Sequence, residues 1–178
     1  MHTIDRDTSS LLVVDFQSRL MPAIESGAAV VANARRLVKA AGLFEVPVVF
    51  TEQNPRGLGS TVSELAPSAA DAVAVKMTFD ACRAPGFLDR LAGRSDVVVA
   101  GCETHVCVLQ TVLGLLDAGK RVYLVRDAVG SRRSESKETA IARMARHGAE
   151  IVTTEMVLFE WLHSAEDPRL RAALDLVR

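Results

Sequence analysis

The sequence predicts a three-layer α/β/α domain built on a doubly wound sheet of six mainly parallel strands. Three observations carry that expectation. Short apolar runs recur along the chain, at 11–14, 46–50, 72–75, 97–100, 121–125 and 150–153. Stretches with helical spacing separate most of them, as the crossovers of a parallel sheet require. The runs at 11–14 and 97–100 hold no polar residue, which suits strands buried on both faces.

The elements follow in order. The first run closes at Asp15. From 28 to 41, Val31, Leu37, Val38 and Ala41 lie opposite Arg35, Arg36 and Lys39, and Gly42 marks the stop of a helix. The second run tolerates Pro47 because the proline falls near its start. Such strand-helix-strand units cross over right-handed, so the first two strands should be parallel and adjacent. TEQNPRGLGSTVSELAP, residues 51–67, reads as a long surface loop. The third run ends in Lys76, 77–86 is again loop-like, and 87–91 suits one or two helical turns.

The stretch DVVVAGCETHVCVLQT, residues 96–111, organises the rest. Its strand is expected to end at Gly101. Thr104 is then expected to cap a helix through its hydroxyl, with Val106, Leu109, Gln110, Leu113 and Leu116 on the face toward the sheet. Farther on, 121–125 reads as a strand ending at Asp127, 134–147 as a helix closed by Gly148, and 150–153 as the last strand. Two closing helices follow at 154–163 and 168–177, the first packed through Phe159 and Trp161.

Composition narrows the function. The 178 residues suit one domain over 1–178, large enough to bury a core without disulfides or a structural metal. A net charge of -1 and 4% aromatic residues argue against nucleic acid and anionic membranes as partners. No apolar run approaches a membrane span and the start shows no signal pattern, so a cytoplasmic protein is expected. Cys82, Cys102 and Cys107 cannot all pair, and no C-x-x-C spacing is present.

Ligands of open parallel sheets bind outside the carboxyl ends of the strands. Asp15, Glu52, Lys76, Cys107 and Asp127 occupy those ends. An acid, an ammonium and a thiol together supply a proton acceptor, a charge stabiliser and a nucleophile. Lys76 follows four apolar residues, where a lone ammonium is expensive unless a carboxylate pairs with it. At a helix start Cys107 is expected to have a pKa below the roughly 8.5 of a free thiol. A buried, inert thiol is the competing reading. His105, two residues before Cys107, points to another face and suits a pocket wall rather than a base. Asp127 is expected to fix the turn that follows it, and Cys82 and Cys102 to be structural, with a pocket or oxidation-sensitive thiol as the alternative for Cys82.

Four motifs carry a family resemblance over nearly the whole chain: LLVVDFQ, VKMTFDACRAPGF, AGCETHVCVLQT and VRDAVGSRRSESKETAIARM. With them the sequence resembles the isochorismatase-like cysteine hydrolases, which include nicotinamidases and N-carbamoylsarcosine amidases. TEQNPRGLG is similar to the isochorismatase-domain-containing subgroup. The resemblance implies a Rossmann-like fold, a catalytic triad of Asp15, Lys76 and Cys107, and a homo-oligomer. It also implies an oxyanion hole made by the N–H groups of Glu103 and Cys107, aimed by a cis Cys102–Glu103 peptide. Phe16, Gln17, Glu52, Phe79 and His105 are the pocket residues expected around the triad. The nicotinamidases hold a metal through an Asp and histidines after the second strand. Here those positions are Thr51, Glu52, Gln53 and Asn54, so no metal and no cofactor are expected. The activity expected is hydrolysis of a small amide or carbamoyl compound through a thioester. A vinyl ether hydrolase of the isochorismatase type, or a binding module that keeps the fold, are the alternatives.

Overall fold

The computed structural model describes residues 3–91 and 93–178. Its elements alternate as the apolar runs require. Strand β1 (Ser9–Val14) is followed by α1 (Gly27–Phe44) and β2 (Val48–Gln53). The short α2 (Pro55–Leu58) leads to β3 (Ala72–Lys76), and β4 (Asp96–Cys102) to α3 (Leu109–Asp117). The chain closes with β5 (Arg121–Gly130), α4 (Ser134–Arg146), β6 (Glu150–Val152), α5 (Thr154–Leu162) and α6 (Leu170–Val177).

The sheet order is β3-β2-β1-β4-β5-β6 and every pairing is parallel. The order reverses between β1 and β4, which opens the crevice where doubly wound folds bind ligands. Alternation along the central strands sends side chains into two cores. Leu11, Val13, Phe50 and Val98 meet Ala34, Leu37, Phe44 and Trp161 on one face. Leu12, Val14, Val49 and Val99 meet Val112, Leu115, Ile141 and Met144 on the other. Trp161 packs edge-on against Phe44, with ring centroids 6.4 Å apart, and donates to Ser9 Oγ at 3.3 Å. Phe159, expected beside it in the core, is exposed.

Several expectations are corrected. Strand β4 does not stop at Gly101. A Cβ there would lie 2.5 Å from the Val14 side chain, so glycine is needed for the close approach of β4 to β1, not as a terminator. The long loop after β2 is partly ordered by α2, a 3-10 turn at Ser63–Leu65 and a bridge between Gln17 and Thr61. Strand β5 runs past Asp127: Val99 pairs with Leu124 and Gly101 with Val129, so residues 125–128 bulge opposite Ala100. Asp127 fixes no following turn. Its Oδ1 accepts from Thr154 N and Oγ1 at 2.9 and 3.0 Å, which anchors the start of α5.

Thr104 is not a cap either. The chain enters α3 through a π-helical turn, Thr104–Val108, in which the N–H groups of Val106 and Val108 both point to Glu103 O. The Thr104 hydroxyl is buried without a partner among the described residues. From the end of this turn onward Val108, Thr111, Val112 and Leu115 are fully buried, while Leu113 and Leu116 pack only partly. A helix apolar nearly all round presents no single stripe by which its buried face can be read.

Candidate active site

Asp15 ends β1, Lys76 ends β3 and Cys107 sits in the π turn after β4, and the fold brings all three to one point. Lys76 Nζ lies 2.7 Å from Asp15 Oδ2, with both side chains wholly buried. The Cys107 side chain interacts with both of them. Asp15 adopts a left-handed φ of 51°, a conformation that Asp and Asn tolerate better than most residues. That kink turns its carboxylate into the crevice.

Two further residues belong to this network, and the strand-end reading missed them. Thr51 Oγ1 donates to Asp15 Oδ1 at 2.6 Å, so each carboxylate oxygen has its own donor. Gln53 Oε1 accepts from Lys76 Nζ at 2.9 Å, and Gln53 Nε2 donates to Met77 O. The signal was present in the alternation. Val49 and Ala74 face the second core, so Thr51, Gln53 and Lys76 follow on that face at two-residue steps, with Gln53 and Lys76 in register.

The thiol departs from expectation. Burial pushes the Cys107 pKa up to about 12, the Asp15 carboxylate adds to the push, and the Lys76 ammonium opposes it. Desolvation therefore outweighs the helix-start field, and Cys107 rests as a thiol beside a carboxylate. Cys82 is pushed up to about 12 as well, by burial and then by Asp80, while Cys102 is buried and raised further.

The residues expected to wall the pocket divide into two groups. Phe16 is buried in the first core, away from Cys107. Gln17 clips the loop after β2: its amide accepts from Gln53 N at 2.8 Å and donates to the carbonyls of Gln53 and Gly59. Glu52 Oε1 accepts from Thr61 N and Oγ1. These three hold the scaffold. Phe79 is exposed, and His105 is half-buried with its Nδ1 3.0 Å from Ser131 Oγ. The Cys102–Glu103 peptide is cis. Glu103 is tied down by Arg132, whose N and Nε both donate to its Oε2.

Comparison with known proteins shows the family. The family model described as "Isochorismatase domain" matches residues 9–156. The chain belongs to the isochorismatase family. All five members of the buried network lie inside that isochorismatase domain. Isochorismatase domain-containing protein 1 of Danio rerio is 35% identical over 173 residues, which cover 96% of this chain. The chain spans 61% of that relative's length. Isochorismatase domain-containing protein 2A of Mus musculus is 34% identical, over 97% of this chain and 84% of its own. A solved structure described as a MAR1 ribonuclease from Caenorhabditis elegans superposes with a TM-score of 0.94 at 32% identity, covering 98% of this chain and 92% of that one. Among the described residues, no helix is long and apolar enough to cross a membrane.

Proposed function

We propose that this chain is a metal-independent cysteine hydrolase of a small amide or carbamoyl compound, acting through a triad of Asp15, Lys76 and Cys107. The observation that carries the reading is the wholly buried Lys76–Asp15 pair with Cys107 against both. A buried ion pair is weak evidence of stabilisation, because desolvation offsets most of the attraction. A thiol placed against it gives the pair a chemical use.

The mechanism follows from the resting state. As Cys107 Sγ attacks the carbonyl carbon, its proton passes to Asp15 and the ammonium of Lys76 balances the charge that develops. The carbonyl oxygen, now an oxyanion, accepts from the N–H groups of Glu103 and Cys107. Asp15 returns the proton to the departing nitrogen and a thioester remains. Water then gives a proton to Asp15 as it attacks the thioester, and the thiolate recovers that proton as the acid leaves.

No metal enters this scheme. Glu52 and Gln53, the nearest candidates at the end of β2, are engaged with Thr61, Lys76 and Met77, and the sequence holds no histidine between His2 and His105. The unpaired thiols suit a cytoplasmic setting. A homo-oligomer fits the edge strand β3, where Val73 and Val75, with Met77 just beyond, present an exposed apolar row. Light scattering on the purified protein would measure its mass.

The test is a screen of small amides, ureides and nicotinamide for ammonia release, repeated with Cys107→Ala and after dialysis against a strong chelator. Turnover lost in Cys107→Ala and unchanged by chelation supports the reading. Turnover that survives Cys107→Ala would favour vinyl ether chemistry, which needs an acid but no thiol. The similarity to a described ribonuclease makes RNA a further substrate to include. The net charge of -1 and the few aromatic residues argue against it.

A further inference from the structure

Segment 131–132 fastens the turn that carries Cys107, and it does so chiefly through Glu103. The Glu103 carbonyl accepts from Val106 N at 3.0 Å and Val108 N at 3.2 Å, the N–H groups on either side of Cys107 in sequence. Its carboxylate is only 9% exposed, and Oε2 accepts from Arg132 N at 3.1 Å and Arg132 Nε at 3.0 Å. Two residues on, His105 Nδ1 lies 3.0 Å from Ser131 Oγ. The fastening segment is itself pinned: Ser131 O accepts from Glu25 N at 3.0 Å, and Glu25 Oε2 accepts from Ser134 N at 2.9 Å.

The Glu103 N–H stands apart from these bonds. It donates to no backbone or side-chain acceptor among the described residues, although the residue is buried. An open donor in a buried residue is one that a ligand can use. Electrostatics alone gives no reason for a carboxylate at this position, because in the proposed reaction negative charge develops at the same residue's N–H. The Arg132 guanidinium offsets that charge, and the use of the carboxylate lies in what it holds.

We propose that the Glu103 carboxylate is the positioning group of the oxyanion hole. Through Arg132 it fixes residue 103 against segment 131–132, so that the open N–H stays aimed at the carbonyl oxygen of a molecule held at Cys107. The inference rests on the reading of Cys107 as the nucleophile and adds to it a side chain that acts without touching the substrate.

The test compares two reactions of one sulfur. With p-nitrophenyl acetate, Cys107 Sγ bonds to the acetyl carbon as the thiol proton passes to Asp15, an oxyanion forms, and its collapse breaks the C–O bond to p-nitrophenolate. With iodoacetamide, Sγ displaces iodide from a saturated carbon and no oxyanion forms. Only the first reaction needs the hole. Both rates are read at neutral pH from the mass of the Cys107 peptide. In Glu103→Ala acetylation should slow about tenfold or more, a part of the roughly hundredfold or greater loss that removing an oxyanion donor causes, while alkylation stays within about twofold of the parent. Glu103→Gln, whose amide oxygen can accept from both Arg132 donors, should recover most of the acetylation rate. Arg132→Ala removes the Nε bond from a side chain that is 61% exposed, and should slow acetylation with alkylation again unchanged. Glu103→Ala/Arg132→Ala should be no slower than Glu103→Ala alone, because both act through one tether.

Equal slowing of the two reactions, unchanged acetylation in Glu103→Ala, or additive losses in the double variant overturns the proposal. If Glu103→Ala does not fold, Arg132→Ala gives the same comparison from the exposed end of the tether. A parent never acetylated at Cys107 overturns the nucleophile reading, and this inference falls with it. A parent acetylated there, with no selective loss in the variants, leaves that reading standing and removes this one alone.

Discussion

Replacing Lys76 by Met separates the stability of the buried pair from its chemistry. Met has a similar unbranched length and no charge. In Lys76→Met the wholly buried Asp15 carboxylate loses its cation and keeps only the neutral donors Thr51 and the Cys107 thiol. Breaking a buried pair from one side costs about 3–5 kcal/mol. For a chain of this size that corresponds to a fall in Tm of roughly 6–20 °C. Adding Asp15→Asn removes the stranded charge, and Asn suits the left-handed φ of 51° at this position. Lys76→Met/Asp15→Asn should therefore recover to within about 1–2 kcal/mol of the parent. Its Cys107 should nonetheless stay unreactive, because the proton acceptor is gone. Urea denaturation at neutral pH gives the stabilities, and labelling of the Cys107 peptide gives the reactivity. A loss below about 1 kcal/mol in Lys76→Met, or a double variant no more stable than the single, would refute the reasoning.

Three further outcomes follow. Thr51→Val leaves Asp15 Oδ1 short of a donor, which should lower stability by about 1–3 kcal/mol and slow Cys107 acylation, while Thr51→Ser restores both. The pKa of Cys107 is raised, so its thiolate fraction at neutral pH is small and grows with pH. Its alkylation by iodoacetamide should keep rising past the roughly pH 9.5 at which an ordinary thiol of pKa near 8.5 levels off, and a plateau by then would contradict the buried, Asp15-facing setting. Asp127→Ala should lower stability by about 1–2 kcal/mol by freeing Thr154 N at the start of α5, with Cys107 reactivity unchanged in the same preparation.

The legible parts of the fold were those set by period and punctuation. Apolar runs such as 11–14 and 97–100, separated by helical stretches, suit strands buried on both faces of a parallel sheet, so the layers and the placing of Asp15, Lys76 and Cys107 at or after strand ends followed from the sequence. The illegible parts depended on neighbours distant in the chain. Gly101 looks like a stop until Val14 of the next strand is seen to need its missing Cβ. Gln17 and Glu52 look like pocket residues until the loop folds back onto them at Gly59 and Thr61. The thiol was misjudged for a related reason. A helix-start field is local and readable from sequence, whereas the burial that raises Cys107 depends on how tightly β1, β3 and the π turn converge.

The central claim is that Cys107 is acylated with Asp15 as its base, and Cys82 supplies an internal control. Both thiols are pushed up to about 12, and Cys82 is the more exposed of the two. Exposure alone would make Cys82 react first. The deciding measurement is the mass of each cysteine peptide after a brief exposure to p-nitrophenyl acetate at neutral pH, in the parent and in Asp15→Asn. The account predicts acetyl on Cys107 before Cys82 in the parent, and loss of the Cys107 adduct alone in Asp15→Asn. Acetyl on Cys82 first, or a Cys107 adduct that forms equally fast without the Asp15 carboxylate, would contradict it.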